Sequence, residues 1–254
     1  MKVVLLGATK GIGRALARRL GARGDALFLL GRDSEELARS ARDLEVRGGF
    51  APESIGTAVC DLERPEGFAR ALDVANAALG GFDTVVVTAG LFATQDALEA
   101  DPALARRRAS SQNTTVLAKS TVSRRRRLLA RPGQGQAAKG TLVVLSSVAG
   151  ERGRKPVVLY GAAKAGLTRY LEGLDHRFRA QGLRTICIKP GFVKTGMTEG
   201  LKVPPFAGEA DAVAGEIIRA MDRGRPVAYT PRIWALIMLV IRHLPRFVMR
   251  KIGF

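Results

Sequence analysis

Tyr160 and Lys164 stand four residues apart, and Ser147 precedes the tyrosine by thirteen. On a helix the four-residue spacing brings both side chains to one face. A phenol titrates near pH ~10 and is a poor proton donor or acceptor at neutral pH. A neighbouring ammonium favours the phenolate and moves it toward a working range. Ser147 follows an apolar strand, Leu142–Ser146, where its hydroxyl can hydrogen-bond a carbonyl oxygen that gains charge. Ser146 competes for that role, and the thirteen-residue lead over Tyr160 selects Ser147. Together the three residues suit proton delivery to, or removal from, an oxygen whose carbon changes oxidation state.

A second group lies near the start of the chain. Gly7-Ala8-Thr9-Lys10-Gly11-Ile12-Gly13 follows an apolar run and precedes a helical pattern beginning near Ile12. Glycines let the backbone turn tightly and approach a phosphate, and the helix offers free N–H groups and the positive end of its dipole. Alone, this is a common strand-to-helix turn. Combined with the downstream set it points to a nicotinamide dinucleotide. A carboxylate closing the second strand would bind the ribose 2′-hydroxyl and repel a 2′-phosphate. That place holds Gly31, followed by Arg32, while Lys10 sits inside the glycine loop. The two cations favour NADP (NADPH). Arg32 as a solvated residue pairing with Glu35 or Glu36 is the alternative.

These residues need a scaffold. Short apolar runs at 2–6, 26–30, 55–60, 84–88, 141–146, 185–189 and 227–229 alternate with helical patterns. This predicts βαβ units, hence an α/β fold with a doubly wound, mostly parallel seven-stranded sheet covered on both faces. Right-handed crossovers put the ligand crevice at the carboxyl ends of the strands. Asp33-Ser-Glu-Glu36 has capping-box spacing before a helix over 37–47, and Pro65 suits the first turn ahead of a helix over 68–78. A helix from about 113 to 130 is stopped by Arg131-Pro132-Gly133, and 132–140 reads as a polar loop. Residues 1–230 form one catalytic and dinucleotide-binding domain, and 231–254 a basic amphipathic extension.

With 254 residues and 46% apolar content, the chain is long enough for one large domain. Cys60 and Cys187 fall in or beside strands and read as buried, reduced thiols. His176 and His243 are far apart, and no Cys/His spacing suggests a metal. The formal net charge of +18 is high. Its arginine runs, 106–108 and 124–127, lack interleaved aromatics, which favours solvated helix faces over nucleic-acid binding. A first strand beginning at Lys2 leaves no room for a cleaved signal and leads us to expect a cytoplasmic location.

Taken in order, the glycine loop, Asp61, Ala89-Gly90, Asn113, Ser147, Tyr160-Gly-Ala-Ala-Lys164 and Pro190-Gly191-Phe192-Val193-Lys194-Thr195 resemble the short-chain dehydrogenase/reductase family over roughly residues 1–230. The resemblance implies a Rossmann fold and reversible hydride transfer between NADP and a carbonyl or alcohol. Tyr160 would act as acid or base, Ser147 would polarise the carbonyl, and Lys164 would bind the nicotinamide ribose. Asn113 would position a water linking Lys164 to solvent; as an ordinary residue it is a helix cap. The cofactor would be held by Gly7, Thr9, Lys10, Gly11, Ile12, Gly13, Arg32, Asp61, Leu62, Ala89 and Gly90. Tyr160, Lys164, Pro190, Gly191, Val193 and Thr195 complete that set. Asp61 is also a natural helix cap ahead of Pro65. Leu6 replaces the family's usual threonine and Thr88 its asparagine, so altered local hydrogen bonding is expected. Family members commonly form homodimers or homotetramers.

The extension holds a nine-residue apolar run at 233–241, then Arg242-His-Leu-Pro-Arg-Phe-Val-Met-Arg-Lys251, with no acid after Asp222. The run is too short to span a bilayer, which needs ~20 residues. Two readings stand: a helix lying on an anionic membrane surface at its cytoplasmic face, or an extension burying Trp234 and Met238 against protein. The segments 146–154, 160–167 and 241–251 resemble a subgroup, the decaprenylphosphoryl-2-keto-ribose reductases. This implies a lipid-linked carbonyl substrate, with Arg152, Arg154 and Lys155 as phosphate contacts. A soluble ketoreductase or alcohol dehydrogenase for a small metabolite, and a non-enzymatic dinucleotide sensor, are the alternatives.

Overall fold

The computed structural model describes residues 1–90, 92, 94–101, 103–104 and 140–252. Asn113, the helix expected over 113–130, both arginine runs and most of the 132–140 loop therefore lie outside the described residues.

Seven strands form one sheet in the order β3-β2-β1-β4-β5-β6-β9. They are β1 (Lys2–Leu6), β2 (Ala26–Gly31), β3 (Gly56–Val59), β4 (Thr84–Val87), β5 (Gly140–Leu145), β6 (Leu183–Pro190) and β9 (Val227–Thr230). Every pairing is parallel. A separate two-stranded ribbon joins β7 (Val193–Lys194) to β8 (Gly208–Glu209). All seven sheet strands coincide with the apolar runs of the sequence. β4 and β5 are buried along their whole length, because helices cover both faces of the sheet.

The period-2 alternation sorts side chains into two cores. Val4, Leu6, Phe28, Val85, Val87, Leu142 and Val144 face α3 (Phe68–Leu79) and α5 (Val158–Phe178), meeting Phe68, Leu72, Leu167 and Leu171. Val3, Leu5, Leu27, Leu29, Val86, Val143 and Ile186 face α1 (Gly11–Ala22), α2 (Ser34–Gly48) and α6 (Ala210–Asp222). A short α4 spans Gln95–Ala100, and α7 (Ile233–His243) and α8 (Arg246–Lys251) end the chain.

Local rules set the helix ends. Asp33 caps α2, accepting from the N–H groups of Glu35 and Glu36 at 3.0 Å each. A 3₁₀ turn at Pro65–Gly67 leads into α3. The strand order reverses direction between β1 and β4, which opens the crevice at their carboxyl ends. The loops after β1, β4, β5 and β6 all emerge at that edge, and they carry the chemistry-bearing residues.

Candidate active site

The glycine loop sits at this switch point. Gly7 has φ +95°, a left-handed conformation that side chains resist. A Cβ there would lie 2.7 Å from both Ala89 N and Thr88 Oγ1. At Gly13 a Cβ would come within 1.9 Å of the Gly7 carbonyl oxygen, so only glycine lets α1 approach the loop this closely. Thr88 ties the two strand ends together, donating its hydroxyl between the Leu6 and Gly7 carbonyls at 2.9 and 3.1 Å. α1 begins after Lys10 with no side-chain cap and no acid in its first turn. Its N-terminus is therefore available to an anion.

Around it lie the other expected cofactor residues. Thr9, Ile12 and Asp61 are half-buried, Leu62 is buried, and Lys10 and Arg32 are exposed. Asp61 accepts from the Glu63 N–H at 3.0 Å, closing a local turn, whereas the helix cap expected ahead of Pro65 falls to Gly67, the N-cap of α3, without a side-chain bond. A Cβ on Gly11 would lie 3.3 Å from Thr195 Cγ2, which brings the segment after β6 onto the glycine loop. Pro190 closes β6 and Val193 is buried in β7. The Asp33 carboxyl is held below the usual range, chiefly by the Glu36 N–H, with Arg39 and Lys10 adding to the effect. That carboxylate is thus committed to the α2 N-terminus.

Ser147, Tyr160 and Lys164 converge. α5 carries Tyr160 and Lys164 on one face, with Lys164 Nζ 5.7 Å from the tyrosine ring centroid. A Cβ on Gly90 would lie 3.4 Å from that Nζ, so the ammonium points toward the loop after β4. Phe92 meets Tyr160 edge-on, with centroids 5.1 Å apart. The loop after β5 packs tightly on α5; a Cβ on Gly150 would come 2.6 Å from Ala165 N. The two serines separate cleanly. Ser146 Oγ donates to the Lys164 carbonyl at 3.0 Å and meets Thr168 Oγ1 at 2.7 Å, anchoring the helix. Ser147 caps the following turn, accepting from the Ala149 N–H at 3.1 Å, and its hydroxyl lies close enough to the Tyr160 phenol to act on it.

The charges differ from the sequence expectation in one respect. Burial pushes the Tyr160 phenol up, and the neighbouring Ser147 hydroxyl and Arg154 guanidinium pull it back. Lys164 is itself brought down to about 8 by burial, and its Nζ donates to the Leu145 carbonyl at 2.9 Å. The cation acting on the phenol here is Arg154, while the Lys164 ammonium is engaged with the Leu145 carbonyl at the end of β5. Of the three candidate phosphate contacts, Arg152 reaches instead to the Leu244 carbonyl, and Lys155 is exposed.

Sequence reading missed a second polar cluster. The Glu151 carboxylate pairs with Lys189 Nζ, and Arg242 approaches it at 3.4 Å. These three residues lie far apart along the chain, and although Glu151 and Arg242 fall in the segments 146–154 and 241–251, nothing in those segments pairs them. Cys60 and Cys187 are buried and unpaired, and burial drives the Cys60 thiol up to about 12. Among the described residues no His/Cys/Asp/Glu group has the makings of a metal site.

A parallel sheet whose crevice holds a glycine-lined helix N-terminus, a tyrosine, a lysine and a serine defines a class of dinucleotide-dependent oxidoreductases. The short chain dehydrogenase family profile matches residues 1–203, and the chain belongs to that family. It is 35% identical to an uncharacterized oxidoreductase of Mycobacterium tuberculosis, over 98% of this chain and 96% of that protein. It is 32% identical to one of Streptomyces coelicolor, over 98% and 95%. A short chain dehydrogenase of Burkholderia cenocepacia, solved in complex with NADP, shares the fold at 19% identity, with TM-score 0.78 over 99% of this chain and 98% of that one. The protein is an NAD(P)-dependent oxidoreductase acting on CH–OH and C=O groups.

Proposed function

We propose that the chain is an NADPH-dependent reductase of a ketone carried on a lipid, such as a polyprenyl-phosphate keto sugar. The observation that carries the reductase chemistry is the meeting of Ser147 and Lys164 with Tyr160 beside the glycine loop. The glycine cradle and the uncapped α1 N-terminus suit the pyrophosphate; Thr9, Ile12, Asp61, Leu62, Ala89 and Gly90 would hold the nucleoside parts, and Pro190, Gly191, Val193 and Thr195 the nicotinamide end. When bound, NADPH supplies the hydride. Ser147 orients the substrate carbonyl by hydrogen-bonding its oxygen. As that oxygen gains charge, Tyr160 passes its phenolic proton to it and becomes a phenolate, which Ser147 and Arg154 stabilise. Lys164 would hold the ribose hydroxyls of the bound cofactor and favour reprotonation of Tyr160 by solvent, with Asn113 as the residue that would support the relay.

Preference for NADPH over NADH is supported by exposed Arg32 and Lys10 and by Gly31 in place of a carboxylate closing β2, the nearby Asp33 being bonded to the α2 N-terminus. The B. cenocepacia fold relative holds NADP, in keeping with this choice. Arg32→Ala is expected to weaken NADPH more than NADH by about tenfold, as the loss of one charge-assisted contact implies; equal weakening of both would remove the argument.

The lipid reading rests on the outer face of α7 and α8. Leu236, Leu239, Val240 and Phe247 are 56–64% exposed, and Arg246, Arg250 and Lys251 stand exposed beside them. An apolar face rimmed by cations suits an anionic bilayer surface, which would put the enzyme at the cytoplasmic face of a membrane. No described helix is long and apolar enough to cross one. A soluble reductase of a small metabolite is the second reading, favoured by Trp234 and Met238, which are buried on the inner face of α7. Co-sedimentation with phosphatidylglycerol vesicles, with and without residues 231–254, distinguishes the two. The lipid reading predicts salt-sensitive binding that the truncation abolishes. Assembly as a homodimer or homotetramer is proposed from the family and is testable by analytical ultracentrifugation.

A further inference from the structure

The C-terminal helix lies beyond the stretch matched by the family, which ends at residue 203, yet it holds the loops that carry Ser147 and Gly191. Its inner face, Trp234 and Met238, packs against Val148, the residue after Ser147, and against Phe192 and Tyr229. The Trp234 indole covers Gly191 so closely that a Cβ there would come within 2.1 Å of Nε1. The same Nε1 donates to the Phe206 carbonyl at 3.1 Å, so one ring grips both ends of the 191–206 segment.

The last turn of α7 is bound by two consecutive residues of the loop after β5. Arg152 donates to the Leu244 carbonyl at the helix C-cap, where the dipole favours a cation. Glu151 receives Lys189 on one carboxylate oxygen, and Arg242 lies 3.4 Å from the other. The Glu151 and Lys189 side chains are each only 8% exposed. A carboxylate this buried is held by its partners rather than by water, so its geometry is fixed from two sides. Lys189 directly precedes Pro190-Gly191. The ends of β5 and β6 are thereby joined to each other and to α7 through one carboxylate.

We propose that α7 is a clamp on the active site, and that Glu151 and Arg242 are positioning residues that hold the 146–154 loop so that Ser147 stays in place beside Tyr160. The proposal rests on the roles given to Ser147 and Tyr160 above. It assigns the chain beyond residue 230 a part in the site itself, whatever its outer face meets.

The test uses the full chain with Arg242→Met and Arg242→Lys. Arg242 is about half exposed, so its loss spares the buried Glu151–Lys189 pair, and thermal melts establish that the variants fold. NADPH affinity is read from quenching of Trp234, the single tryptophan, and turnover with phenanthrenequinone as the probe ketone. The clamp predicts NADPH affinity within about twofold of wild type, and kcat lowered by about tenfold in Arg242→Met, because a small misplacement of the Ser147 loop lowers the rate without removing the cofactor. Arg242→Lys should regain most of it. Acrylamide access to Trp234 should rise by about twofold in Arg242→Met and return with lysine, a readout that holds even where the quinone is not reduced. Wild-type turnover and wild-type acrylamide access in Arg242→Met overturn the clamp. A wild-type chain that fails to bind NADPH overturns the proposed function instead.

Discussion

Tyr160 donates a proton only if its phenol is tuned, and the structure assigns that tuning to identifiable neighbours. Burial raises it, while Ser147 and Arg154 lower it. Ser147→Ala should therefore lower kcat by about two orders of magnitude and move the alkaline limb of the reductive pH profile upward, since the phenol then holds its proton to higher pH. An unmoved limb would detach Ser147 from the tyrosine. Lys164 makes a separate prediction. Its folded pKa of about 8 lies below the ordinary 10.5, so folding disfavours its protonated form. Below pH 8 folded and unfolded chains both carry the proton and the full cost applies; between about 8 and 10.5 the unfolded chain binds more protons, and stability rises with pH. Chemical denaturation of wild type against Lys164→Met across this window should show a difference in slope summing to about 3 kcal/mol. Parallel curves would mean that the ammonium is solvated.

The elements were legible because their rules are local. Seven apolar runs gave seven strands, and Asp33 capped α2 as its spacing before Glu36 implied. The glycine cradle was legible for the same reason: Gly7 and Gly13 serve a turn and a close approach within one βα unit. What escaped was contact between distant residues. Nothing in the sequence links Glu151 to Lys189 and Arg242, or Arg152 to Leu244, and Arg154 gave no sign of its proximity to Tyr160. Thr88 lies between these cases, since its departure from the family pattern marked the position but not its bonds to Leu6 and Gly7. Thr88→Val keeps the shape and removes both bonds, and should cost about 1–2 kcal/mol in urea unfolding. Gly13→Ala, whose methyl would meet the Gly7 carbonyl, should weaken NADPH by at least about tenfold, because the loop must move from its phosphate-facing position. Unchanged cofactor affinity, measured by isothermal titration, would contradict the cradle.

At the scale of the molecule, one sheet edge gathers the four loops after β1, β4, β5 and β6, and the C-terminal helix closes over two of them. The domain boundary expected at residue 230 marks the end of the sheet, yet α7 buries Trp234 and Met238 against Val148. Both readings of the extension thus find a face: the inner one on protein, the outer one exposed. Removal of residues 231–254 should lower the melting temperature as well as any vesicle binding, since it uncovers the cluster around Trp234; a truncated chain melting at the wild-type temperature would mean that the helix is an ornament. The central claim, that Tyr160 is the proton donor of an NADPH-dependent carbonyl reduction, is tested most directly by following NADPH consumption over a panel of ketones, polyprenyl-linked keto sugars included, with wild type and Tyr160→Phe side by side. The account predicts consumption by wild type that falls by at least about 100-fold in the variant, with NADPH affinity within about threefold. Equal rates in the two proteins would contradict it.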